Sequence, residues 1–204
     1  MVYFGPNMGP VTKNSWFEKV VQRDAEVSHA LRLDPGQKVL WKAASFLAHS
    51  GDSWFWVMAL GVIWLLDWGE WHSRAAFFAA AIVIQALLVF ALKFLIRRQR
   101  PAGEWGSVYR NSDPHSFPSG HATRAGLLVM LSVGLGPAWL AMVILLWAPV
   151  MSLARVIMGV HYLSDVLAGF VFGLVVGWVF ITLSPQIISA FPILFSPTFW
   201  NFLF

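Results

Sequence analysis

Ala75–Pro101 reads AAFFAAAIVIQALLVFALKFLIRRQRP, and its two parts carry different messages. Residues 75–92 are apolar except for Gln85, long enough as a helix to cross a hydrocarbon core of about 30 Å. Lys93, Arg97, Arg98 and Arg100 then crowd the end of the run. Pro101 stops the helix, because the residue before a proline avoids the α region. A membrane helix that ends in a knot of cations sets both the architecture and the depth at which chemistry is to be sought.

Composition agrees with lipid as the solvent. The chain has 204 residues, 58% hydrophobic and 12% charged, whereas soluble domains carry about 25% charged residues. Its 12 Trp and 17 Phe suit interfacial belts and a packed helical interior. A net charge of +4 points to an anionic partner. Lipid headgroups or a phosphate substrate fit better than nucleic acid, because no exposed basic domain is evident. There is no Cys, so disulfides and thiol ligands are excluded. The opening MVYFGPNMGPVTKNSW lacks the basic-then-apolar order of a signal peptide, and no cleavage is expected.

Outward from the opening stretch, residues 1–14 read as irregular. Residues 15–33 place Trp16, Phe17, Val20, Val21, Val27, Ala30 and Leu31 on one face, predicting an amphipathic helix lying on the membrane. A turn at Asp34-Pro35-Gly36 precedes a second helix near Lys38. The run Trp54–Leu66 is short for a span. It crosses only if the helix begins earlier, over His49 and Asp52, or if those residues face protein. Ser119–Leu135, Ala138–Met158 and Tyr162–Leu183 read as further spans. Gly169, Gly173 and Gly177 give the last of these a small-residue face for close packing. The fold expected is all-α: a polytopic membrane bundle of five to six transmembrane helices with an N-terminal interfacial helix. Its parts are residues 1–50, an interfacial segment that would hold any sixth span; 51–185, the transmembrane core; and 186–204, an apolar tail read as interfacial.

Three islands carry chemistry. In the first, Lys93 and Arg100 lie about two helical turns apart and would project from nearly one face, with Arg97 and Arg98 as snorkelling cations at the headgroups. In the second, Pro118-Ser119-Gly120-His121 opens a helix, whose N-terminal amides favour anions. Gly120 permits close approach of backbone, and the plain alternative for Ser119 is an N-cap. In the third, His161 and Asp165 stand i, i+4, so the carboxylate can orient the imidazole and leave its other nitrogen as nucleophile or base. Arg155 is near enough to meet the same anion. Neither HExxH nor paired carboxylates are present, so no metal site is expected. Arg110, Asp113 and His115, on the loop between islands, are headgroup-contact candidates or simply solvated.

The order and spacing of the islands, K-x6-RP, PSGH and R-x5-H-x3-D, resemble the type 2 phosphatidic acid phosphatase superfamily over roughly residues 50–185. One departure is Ala154, where that family usually has Ser. The resemblance implies an integral-membrane lipid phosphatase without cofactor or metal. His161 would attack phosphorus to give a phosphohistidine, with Asp165 orienting it. His121 would protonate the leaving oxygen and then activate water. Lys93, Arg100, Arg155, Ser119 and the Gly120 amide would hold the phosphoryl oxygens. Substrates implied are a polyprenyl diphosphate, phosphatidic acid or phosphatidylglycerophosphate, in a bacterial or archaeal cell membrane. The other class of reading is a transporter or lipid-binding protein using the cations as an anion site. His121 and the His161–Asp165 pair speak against it, because binding alone needs no nucleophile. On orientation, counting Lys and Arg favours a cytoplasmic site. The resemblance implies an extracytoplasmic site reached after three spans, and the sequence reading leans to that side.

Overall fold

The structure, a computed structural model, describes residues 16–34, 36–67, 69–102 and 113–195, with Phe17 contributing backbone alone. The expected irregular N-terminus and Arg110 lie outside these residues. Helices follow in the order α1 (Trp16–Ala30), α2 (Lys38–His49), α3 (Ser53–Leu66), α4 (Glu70–Ile96), α5 (Gly120–Leu135), α6 (Ala138–Ile157) and α7 (Leu163–Thr182), then the short α8 (Ser184–Ala190) and α9 (Pro192–Phe195). No strand occurs among the described residues.

Length and composition let α4, α6 and α7 cross a membrane. α3 rises only about 21 Å, at 1.5 Å per residue, and it does not begin earlier as one helix. α2 stops at His49, the chain turns through Ser50–Asp52, and α3 starts afresh at Ser53. The pair nevertheless runs antiparallel to α6 over the length of that helix. Leu33 N donates to Ile157 O at 3.1 Å, and Trp147 Nε1 to Ser50 Oγ at 2.8 Å. At the far end Leu66 and Trp139 line one apolar cavity of about 520 Å³. Asp52 turns to His121 in the protein, whereas the His49 side chain remains 41% exposed.

α5 sits at the centre and packs most closely on α7. Lipid tails are as apolar as Leu, so helices in a bilayer associate through close packing more than through transfer from water. The glycine stripe supplies that closeness. A Cβ on Gly169 would come within 2.7 Å of Ser119 O, one on Gly177 within 2.6 Å of Met130 Cβ, and one on Gly173 would fall on the Thr123 carbonyl. The packing also registers two islands: Ser119 N donates to Asp165 O at 3.0 Å, tying the start of α5 to the first turn of α7. Ile82, Leu127, Leu128, Leu131 and Met151 complete the buried core.

α1 turns polar residues to the protein. Asp24 accepts from Ser164 N at 3.0 Å and Ser28 Oγ from Leu163 N at 2.8 Å, so α1 caps the amides that open α7. Its Trp16 and Val20 stay exposed. The tail folds back on the opposite end of the bundle, with Trp64 Nε1 donating to Leu194 O at 3.1 Å and Phe195 buried against Phe77.

Candidate active site

The three islands meet at the end of the bundle where α4 stops, α5 begins, α6 stops and α7 begins. Lys93 lies in the last turn of α4, and Arg97 ends that helix in the left-handed region with φ 53°. Such a residue is a common helix terminator, and it redirects the chain. Lys93 and Arg100 therefore do not share a helical face, as their spacing alone suggested. They meet because the chain doubles back, and Asp113 Oδ2 receives both Lys93 Nζ and, at 2.8 Å, Arg100 Nη2. Arg100 Nε donates to Asp113 O at 2.8 Å as well. Asp113 is thus bound by two cations rather than solvated, while His115 packs edge-on to Phe94.

Lys93, Arg100, Arg155, Gly120 and His121 line one cavity of about 250 Å³. Arg155 is buried, its Nη1 3.4 Å from Ala48 O. Ser119 is buried too. Its hydroxyl has no partner and makes no cap bond, so the plain N-cap reading of that side chain fails. His161 is buried beside these groups, its Nε2 3.2 Å from Arg100 Nη1. Burial first, and then Arg100, Arg155 and Lys93, push its imidazole well below the ordinary histidine range, so the ring is neutral at physiological pH.

Asp165 stands behind His161, but the hydrogen bond inferred from their spacing is not made. His161 Nδ1 and Asp165 Oδ2 are 3.6 Å apart. The carboxylate is held by others: Oδ2 accepts from Tyr162 N at 2.9 Å and Oδ1 from Arg98 Nη1 at 2.7 Å. Arg98 is therefore not a snorkelling cation. It also binds Asp24 Oδ2 at 2.7 Å and Ser164 Oγ at 2.6 Å, and its guanidinium lies 4.1 Å from the centre of the Tyr162 ring. Arg97, by contrast, is exposed as expected, donating to Phe94 O at 2.8 Å.

His121 has a partner the motifs did not suggest. Its Nε2 is 2.6 Å from Asp52 Oδ1, in the break between α2 and α3, and Asp52 Oδ2 is 3.3 Å from His49 Nδ1. Arg124, one turn beyond His121 and buried, donates to Gly51 O and Ser53 Oγ and fixes the same break. A signal for both residues was present in the sequence, since an ionisable group among apolar residues of a span is rarely idle. Asp24 and Arg98 offered none, because their pairing joins segments far apart in the chain.

A bundle of apolar helices with cations, two histidines and a serine gathered at one end defines a class of membrane protein, and comparison gives its family. Residues 74–189 match the PAP2 superfamily, and the chain belongs to it. The decaprenylphosphoryl-5-phosphoribose phosphatase of Mycobacterium tuberculosis is 35% identical over 158 residues, covering 74% of this chain and 82% of that protein. The undecaprenyl-diphosphatase of Sulfolobus acidocaldarius is 27% identical over 151 residues, 72% of this chain and 70% of that one. The crystal structure of a transmembrane PAP2 type phosphatidylglycerolphosphate phosphatase from Bacillus subtilis shares the fold. Its TM-score is 0.67 at 23% identity, over 83% of this chain and 88% of that chain.

Proposed function

We propose that this chain is an integral-membrane lipid phosphatase. It hydrolyses a phosphomonoester or diphosphate of a lipid through a phosphohistidine, without a metal ion. One observation carries the reading: Lys93, Arg100, Arg155, Gly120 and His121 converge on one cavity, with the neutral imidazole of His161 against Arg100. Three cations aimed at one point supply the charge stabilisation that dominates many phosphoryl transfers. Asp113 marks where an anion sits between Lys93 and Arg100, and a phosphoryl group would take that position.

His161 Nε2 attacks phosphorus, and the bond from phosphorus to the lipid oxygen breaks. With its Nε2–H held by Asp52, His121 enters the step as the imidazolium, and its Nδ1–H gives that oxygen its proton. Water then attacks the phosphohistidine, His121 takes its proton, and phosphate leaves with His161 restored. Asp165 supports the charge that builds on His161, and catalytic hydrogen bonds longer than ideal tighten on substrate binding. Ser119 Oγ and the Gly120 amide complete the oxyanion contacts. The relatives' names favour a polyprenyl-linked phosphate over a glycerolipid. The test is phosphate release from a prenyl phosphate by purified protein in detergent. Release that resists EDTA and vanishes in His161→Ala supports the reading. Release restored only by Mg²⁺, or kept in His161→Ala at more than about a tenth of the wild-type rate, a barrier change under about 1.4 kcal/mol, overturns it.

We also propose five crossings, with α2 and α3 together forming one broken span and α1 lying in the interface with Trp16 and Val20 toward lipid. Two crossings then precede Lys93, where the extracytoplasmic placement needed three. The site and α1 share one side, and exposed Lys19, Arg23, Lys38, Lys42 and Arg97 lie there, with Arg74 at the opposite end. The positive-inside rule makes that side cytoplasmic, and this is the orientation proposed in place of the outward one.

A further inference from the structure

The cavity continues below the phosphate cradle, and two polar side chains line its deeper part. Gln85 lies on the α4 face that also carries Val89 and Lys93, about 12 Å toward the membrane interior from Lys93 at 1.5 Å per residue. It is fully buried, it lines the cavity, and neither its amide oxygen nor its amide nitrogen has a hydrogen-bond partner. A buried amide left unsatisfied is destabilising, and a ligand group in the cavity removes that penalty. Arg124 lines the same cavity from α5, a rise of about 6 Å beyond Gly120. Its terminal nitrogens bind two neutral groups, Gly51 O and Ser53 Oγ, and its Nε has no partner. The bland role for Arg124 is a clamp on the α2–α3 break, but a clamp does not account for the unpartnered amide across the cavity.

We infer that Gln85 and Arg124 form a second subsite that takes an anionic group on the lipid side of the scissile phosphate: the inner phosphate of a prenyl diphosphate, or a phosphodiester joining the headgroup to the lipid. Arg124 and Gly120 line the same cavity one helical turn apart, so a ligand held at Gly120 can extend toward Arg124. Phosphatidic acid has no second phosphate to place there. This rests on the phosphatase reading above and specifies its substrate class.

The full chain in detergent is assayed with a prenyl monophosphate and a prenyl diphosphate of the same tail, and kcat/KM for phosphate release is taken for each. In Gln85→Leu the ratio of diphosphate to monophosphate kcat/KM falls about tenfold, the loss of one hydrogen bond to a charged group. In Gln85→Glu it falls further, because a carboxylate then faces the inner phosphate. Arg124→Lys, which keeps a cation but loses the guanidinium fork, lowers the ratio less. If Gln85→Leu does not fold, Gln85→Glu carries the test, with elution as a single symmetric species as the check on folding. A ratio that does not fall in the Gln85 variants while wild type hydrolyses both lipids overturns the subsite and leaves the phosphatase reading standing. A fall in Gln85→Glu no larger than in Gln85→Leu overturns the anionic character of its ligand. Wild type inert on both lipids fails the phosphatase reading itself.

Discussion

Asp52→Asn isolates the least expected contact of the site. Asp52 Oδ1 lies 2.6 Å from His121 Nε2, and neither side chain is more than a quarter exposed, at 22% and 16%. Although Asp52 precedes the first residue of α3, its side chain makes no capping bond there. Asn matches it in size and ranks equally as an N-cap residue, so the substitution removes charge and little else. A hydrogen bond to a charged group contributes about 1.5–3 kcal/mol, or roughly tenfold to a hundredfold in rate if realised in the transition state. The expected result is a fall of that size in kcat on a lipid monophosphate, whose alkoxide leaving group needs a proton. The fall is smaller on a diphosphate of matched tail, whose leaving phosphate is a weak base. KM and vanadate inhibition move little, since the phosphate cradle is untouched. Equal fractional losses on both substrates, or a loss confined to KM, would refute Asp52 as the orienting partner of a general acid.

Three further outcomes follow from the geometry. Arg98→Gln frees Asp165 and uncouples α1 from α7, and with two partly buried ion pairs broken it should lower the unfolding midpoint in detergent and depress kcat about tenfold, the effect of losing a hydrogen bond to a charged group; unchanged values of both would show the network to be idle. Asp113→Ala removes the carboxylate that shares Lys93 and Arg100, so orthovanadate should inhibit this variant at lower concentration than wild type, and weaker inhibition would mean that Asp113 builds the cradle rather than competes for it. His161 is held neutral well below the ordinary histidine range by burial and by Arg100, Arg155 and Lys93, so the acidic limb of kcat/KM should lie below pH 6.5 and move upward in Lys93→Gln; a limb that moves downward contradicts the sign of that coupling.

The site was legible where motif and apolar context coincided. Lys93, Arg100, Gly120, His121 and Arg155 converge as their islands implied, and the helices from α4 to α7 fall close to the runs that announce them. Geometry that depends on a single backbone turn was not legible. Spacing placed Lys93 and Arg100 on one helix, but Arg97 adopts a left-handed conformation and the chain reverses, a local choice that hydropathy does not encode. Contacts between distant segments were equally silent. Asp24 looked like one more charge on the wet face of an amphipathic helix, and Arg98 like one more cation at a headgroup. Each is partly covered, and the two bind one another and Ser164. Asp52 and Gln85 were visible as polar residues in or beside apolar runs, where polarity is expensive, while Arg124 was passed over.

The ion network also changes what α1 is for. A helix that merely rests on the membrane needs an apolar face and a charged one. It does not need an aspartate that reaches Arg98 and the opening amide of α7. Asp24 and Asp165 share Arg98, so the charge available to steady Asp165 depends on whether α1 is docked. A partly buried cation shared by two carboxylates loses one of its two partners when α1 undocks. Undocking of α1 would therefore fall on Asp165, directly behind His161, while Lys93 and Arg155 kept their places. α1 is thereby tied into the framework that holds Asp165, while its Trp16 and Val20 stay exposed.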